Sequence, residues 1–162
     1  MWGNRMIYVF DDNSISNILN HYYIDRFPSF WEKLDKMISE GKIISVREAH
    51  FELQLKFNEE KVERLLQNNK SFFSIPSTDE LGFITKIYSI SHFRHNLERK
   101  KLLKGGFFAD PFVIAKAQYV KGTVITEEVN KPHGAKIPNI CEHFGILCEN
   151  IEGFLLKEDW TF

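Results

Sequence analysis

The sequence predicts an α/β fold, a three-layer α/β/α sandwich with a mostly parallel central sheet, and three observations predict it. Short continuous apolar runs such as Met6–Phe10 suit strands buried on both faces. These runs alternate with longer segments whose apolar residues recur at helical spacing, and such alternation implies crossover connections and parallel neighbours. The composition also provides for one core. Of 162 residues, 43% are hydrophobic, 14% aromatic (15 Phe, 5 Tyr, 3 Trp) and 27% charged. That is enough apolar material for a single domain over 1–162, and it excludes disordered, collagenous and coiled-coil chains.

The elements follow in order. After Met6–Phe10, the polar residues Asp11–Ser14 offer caps for a helix carrying Ile15, Ile18 and Leu19. Pro28 opens a second helix with Trp31, Leu34, Met37 and Ile38 on one face, and Gly41 lies just past its end. Lys42–Ser45 is the next strand, followed by one long helix from about Arg47 to Leu66. The segment Phe72–Ile75 is too short to assign. Ser77 and Thr78, with Asp79 and Glu80, cap a helix running to about Leu103, whose second half is highly charged; Gly105-Gly106 ends it. Asp110-Pro111 starts a helix through Val120 that Gly122 stops, and Thr123–Thr126 is a strand. Ile137–Phe144 is a short helix ended by Gly145, Ile146–Cys148 a last strand, and Glu149–Trp160 is read as helical. Trp2, Trp31 and Trp160 are read as core or interface.

Charge and cysteine content narrow the class. Lys plus Arg number 21 against 22 Asp plus Glu, a net charge of −1, which argues against non-specific coating of duplex nucleic acid. Cys141 and Cys148 are too few for a disulfide scaffold. The apolar stretch near the N-terminus is too short for a signal-peptide core or a membrane span, so a soluble, cytoplasmic protein without membrane contact is expected.

Ligands of doubly wound sheets gather at the carboxyl ends of the strands, and the groups found there are mostly acids. Asp11 and Asp12 follow the first strand. Glu48 and Glu52 lie in the first turns of the helix after the second, Glu127 and Glu128 follow Thr126, and Asp110 begins the helix leading into that strand. Carboxylates converging in a partly dehydrated cleft repel one another unless cations or protons are taken up. Mg²⁺ and Mn²⁺ prefer such oxygen ligands, and phosphate chemistry is their commonest use in such a cluster. Each acid alone has a plainer explanation. Asp110 before Pro111 reads as a helix cap, Glu48 and Glu52 as first-turn dipole partners, and Glu127-Glu128 as an exposed turn. The shared position at one end of the strands lifts the set above these.

Tyr8-Val9-Phe10-Asp11-Asp12-Asn13 resembles the opening of PIN-domain nucleases, a hydrophobic strand followed by Asp, a small or polar residue, and Asn. Glu52-Leu53 is similar to their internal Glu-Leu, Asp110 with Ile114-Ala115-Lys116-Ala117 to their Asp and Ile-Ala-x-Ala helix, and Val124–Glu128 to their strand ending in Thr-x-Asp. Phe27-Pro28-Ser29-Phe30-Trp31, Asp110-Pro111 and Lys136–Cys141 ahead of Phe144-Gly145 point to a bacterial and archaeal branch of that superfamily. The resemblance implies a Mg²⁺- or Mn²⁺-dependent endoribonuclease of the VapC-like kind, the toxin of a type II toxin–antitoxin pair. Asp11, Glu52, Asp110 and Glu128 would be catalytic and metal-binding, with Asn13 and Thr126 orienting them. Asp12, where the family often has Thr or Ser, Glu127 and Glu48 are the fallback acids, and Glu128 stands where Asp is usual. The resemblance further implies an RNA substrate, a cognate antitoxin and a homodimer.

Arg94, Arg99, Lys100, Lys101 and Lys104 form a basic stretch that reads either as a solvated helix face or as an RNA backbone clamp. Phe107 and Phe108 beside Gly105-Gly106 pack in the core or stack on a base. Cys141, His143, Cys148 and His133 lack a structural zinc spacing. The rival function is a non-catalytic PIN-fold module that binds RNA or protein. A phosphatase is disfavoured because Ser14, not Asp, lies two residues after Asp12.

Overall fold

The computed structural model describes residues 6–162, so Trp2 lies outside the described residues. Five strands form one sheet, β1 (Tyr8–Phe10), β2 (Ile43–Val46), β3 (Phe73–Ser74), β4 (Thr123–Ile125) and β5 (Leu147–Glu149). Their order is β3-β2-β1-β4-β5, and every pairing is parallel. The expected PIN-like α/β/α architecture is therefore the one observed. Tyr8 faces Ile43 on one side and Thr123 on the other, which puts β1 at the centre and its apolar run out of water on both faces. Successive strand residues point to opposite faces. Tyr8 and Phe10 accordingly join an aromatic core with Phe30, Trp31 and Phe154, while Val9 joins a second core with Val124, Ile114 and Leu97.

Helices α1 (Asp12–His21), α2 (Pro28–Ser39) and α9 (Ile151–Glu158) contribute to the first core. The edge of Trp160 meets Phe30 and Phe154 there, and Trp31 is buried, so both take the core role expected of them. Helices α5 (Thr78–Tyr88), α6 (Ser91–Leu103), α7 (Asp110–Val120) and α8 (Ile137–Phe144) build the second. Among the described residues no helix is long and apolar enough to cross a membrane.

Two expected helices are each a pair. The segment 47–66 divides into α3 (Arg47–Lys56) and α4 (Glu59–Leu66), because the Asn58 side chain accepts the Lys61 amide and starts a new helix with Glu59 and Glu60 in its first turn. The segment 78–103 divides at Ser89-Ile90, where the Ser89 hydroxyl donates to the Lys86 carbonyl and Ile90 is extended. Gly122 also differs from expectation. Lys121 itself adopts the left-handed turn that ends α7, whereas at Gly122 an added Cβ would lie 2.5 Å from the Ile7 carbonyl oxygen. The close approach of β4 to β1, not helix termination, requires glycine there.

The strand order reverses between β1 and β4, the topological switch point of this sheet. Each strand is followed by a polar residue at that crevice, Asp11 after β1 and Thr126 after β4.

Candidate active site

Asp11 is the residue after β1 and the N-cap of α1. Its Oδ1 accepts the Ser14 amide at 2.8 Å, and its Oδ2 accepts the Thr126 hydroxyl from the end of β4. Burial pushes the carboxyl up to about 7, although those two hydrogen bonds favour its charge. Asp12, the next residue, lies beyond the cap and is fully buried. Lys56 donates to its Oδ2 at 2.9 Å, while Oδ1 is buried without a hydrogen-bond partner. Burial opposes its charge too, but Lys104 and Lys56 outweigh that and hold this carboxyl below the usual aspartate range.

Glu52, on the inner face of α3, meets this pair. Its Oε1 accepts from Lys104 at 3.0 Å and its Oε2 is buried and unpartnered. Burial, then the neighbouring Asp12 charge, raises Glu52 to about 8 against the pull of Lys104. Across the crevice, Lys100 bridges Asp110, at 2.5 Å, and Glu128, at 3.2 Å. Burial and the Asp110 charge push Glu128 upward, against Lys100 and Lys136. Asp110 is the first residue of α7, whose N-cap Ala109 has no side-chain hydrogen bond, so Asp110 is not the cap its place before Pro111 suggests.

The cluster therefore draws together Asp11, Asp12, Glu52, Asp110 and Glu128 from four chain segments. Among the described residues, no three Asp, Glu, His or Cys side chains converge closely enough to hold an ion as they stand. The ammonium groups of Lys100 and Lys104 stand among the acids instead. The donor set still suits a hard divalent cation, because it is all oxygen and because two buried carboxylate oxygens have no donor.

Residues 8–162 match the family described as "Domain of unknown function (DUF4411)". The chain belongs to the DUF4411 family. No curated protein matches it. Among solved structures it is similar to a chain in the crystal structure of VapBC2 from Rickettsia felis bound to a DNA fragment from their promoter. That likeness has 17% identity and a TM-score of 0.48, and covers 90% of this chain and 98% of that one.

The remaining sequence-selected residues of this DUF4411 chain divide. Thr126 links both sides of the cluster, since its oxygen also accepts the Glu128 amide. Asn13 is half-buried and makes no side-chain hydrogen bond among the described residues; Ser14 instead ties α1 to β4 through the Ile125 carbonyl. Glu127 accepts the Ile151 amide and serves the start of α9. Glu48 turns to Arg47, away from the cluster that Glu52 joins. Lys100 and Lys104 point into the acids, whereas Arg99 and Lys101 are exposed and Arg94 is half-buried. Lys56 was missed altogether. Its place one helical turn after Glu52 is the signal that marks it, since residues four apart share a helix face.

Proposed function

We propose that this chain is a Mg²⁺- or Mn²⁺-dependent endoribonuclease that acts as the toxin of a toxin–antitoxin pair. The single observation that carries the nuclease reading is the gathering, at the switch point, of four buried carboxyls and the half-buried Glu128, with two of their oxygens unpartnered. The toxin role, the cognate antitoxin and a homodimer rest on the motif resemblance to PIN-domain nucleases.

Glu52, Asp110 and Glu128 would hold the ion. Asp12, with its unpartnered Oδ1, would take the ligand place that the motif resemblance gives to Asp11, whose two oxygens already accept from Ser14 and Thr126. Bound there, a divalent cation supplies a Lewis acid for the phosphoryl oxygens and lowers the pKa of a water. The chain's own residues bind and orient. Lys100 and Lys104 already lie between the acids, and a phosphodiester entering the crevice gives their ammonium groups a second anionic partner. Thr126 keeps the ends of β1 and β4 in fixed relation, which preserves the alignment of the acids.

The test is cleavage of single-stranded RNA with Mn²⁺ by the wild type, Asp110→Asn and Glu52→Gln. Loss of about 100-fold or more in either variant is expected. Equal activity in all three removes the catalytic assignment. One observation favours a non-catalytic RNA- or protein-binding module: Lys56, Lys100 and Lys104 already neutralise much of the cluster. A calorimetric titration showing no Mn²⁺ binding would decide for that module.

A further inference from the structure

Beside the acid cluster lies a second concavity of about 240 Å³, walled by Phe51 of α3, Phe107 and Phe108 of the 104–109 turn, and Tyr88 and Phe112. Its Phe51 and Phe107 rings lie 5.3 Å apart and tilted by 43°. Phe107 is partly exposed, while Phe108 is buried. The turn carrying them depends on Gly106, whose φ of +120° other residues rarely adopt. Phe108 is a shared wall, because Lys100 and Lys104 lie 5.7 and 5.8 Å from its ring centre on the acid side. A phosphate held by those lysines would place its attached nucleoside within reach of this pocket.

Glu48 also lines the pocket. It is only 8% exposed. Arg47 donates twice to its Oε2, and its Oε1 is buried with no partner. An unpartnered carboxylate oxygen carries a desolvation cost that a ligand N–H would remove. Aromatic walls, an unpartnered carboxylate oxygen among the lining residues, and cations at the mouth together match a flipped-out nucleobase held by stacking and by one edge hydrogen bond.

We infer that the Phe51–Phe107 pocket binds one base of a single-stranded RNA next to the acid cluster, and that Glu48 selects bases carrying an exocyclic amine. Adenine, cytosine and guanine have such a donor; uracil does not, and its one ring N–H lies between two carbonyl oxygens that repel a carboxylate. The inference deepens the nuclease reading and rests on it for the RNA substrate, but base binding itself needs neither metal nor cleavage.

The experiment measures binding of fluorescently labelled A₆, C₆ and U₆ RNA to the full chain in EDTA. Wild type is expected to bind A₆ or C₆ about tenfold more tightly than U₆. Glu48→Met should remove that preference, bringing the three affinities to within about twofold of one another, and Phe107→Ala should weaken all three about fivefold. Melting curves establish that both variants fold. Equal wild-type binding of the three, no binding of any, or a preference that survives in folded Glu48→Met overturns the inference. Cleavage with Mn²⁺ separates the two claims. Activity that Asp110→Asn abolishes, with cut sites unchanged by Glu48→Met and Phe107→Ala, sustains the nuclease and removes the base pocket. Amine-selective binding without any cleavage does the reverse.

Discussion

Helix α7 carries a lysine–carboxylate contact at each end. Near its C-terminus Lys116 meets Glu80 of α5 at 3.0 Å, with side-chain exposures of 8% and 2%. The same Glu80 oxygen takes the amide and hydroxyl of Ser77, which closes a capping box. One cation meets one anion there, inside a core. At the N-terminus Asp110 meets Lys100, but Lys100 also serves Glu128, and Lys104 stands near Asp12, Glu52 and Asp110. There the acids outnumber the lysines between them, and the lysine ends are partly open to water. The first arrangement holds α5 against α7. The second keeps more acids than lysines in a partly dehydrated crevice, which costs stability through burial and like-charge repulsion.

The largest expected effect breaks the balanced end. Lys116→Met leaves Glu80 charged and buried, and chemical denaturation should show a loss of about 3–5 kcal/mol. Adding Glu80→Leu should recover a substantial part of that loss. A Lys116→Met protein as stable as the wild type would mean the two ends of α7 do not differ as described.

A smaller effect tests the acid excess through pH. Asp11 and Glu52 have folded-state values of about 7 and about 8, above their ordinary 3.8 and 4.5. Between those limits the folded chain holds protons that the unfolded chain has released. Without metal, stability therefore falls as pH rises from about 4 to 8, and is highest on the acid side of that window. Asp11→Asn should flatten the slope between about 4 and 7 by up to about 1.4 kcal/mol per pH unit. It should leave metal-free stability at neutral pH unchanged or raised, because the amide oxygen still accepts the Ser14 N–H. Thermal melts in EDTA at several pH values check the sign; a stability that rises through this window contradicts it.

The smallest effect sharpens the role of the lysines. Lys100→Met should cost about 1 kcal/mol in metal-free melts, since its ammonium is partly exposed. It should also tighten Mn²⁺ binding about tenfold by removing a competing positive charge. Calorimetric titration reads this directly, and weaker binding in the variant would show that Lys100 supports the ligands rather than competing with an ion.

Much of the fold is legible in the chain because it rests on local signals. Continuous apolar runs such as Tyr8–Phe10 mark buried strands, and Pro28 and Gly145 mark helix limits. The breaks at Asn58 and Ser89-Ile90 escape notice because apolar periodicity runs across both, and a single capping side chain decides each of them. In the candidate site, the acids announce themselves by their place after strands. Which oxygen faces which partner does not follow from spacing. Asp11 and Asp12 are adjacent, yet one is committed to the α1 cap and Thr126 while the other meets Lys56, 44 residues away. The i, i+4 spacing of Lys100 and Lys104 puts them on one helix face, but only the packing of α6 aims that face at the acids rather than at solvent.

The lone hydroxyl proton of Thr126 is given to Asp11, and the same oxygen receives the backbone N–H of Glu128. The polarity of that short relay is thereby set in one direction. One side chain thus fastens the carboxyl end of β1 to that of β4 and to the backbone that carries Glu128.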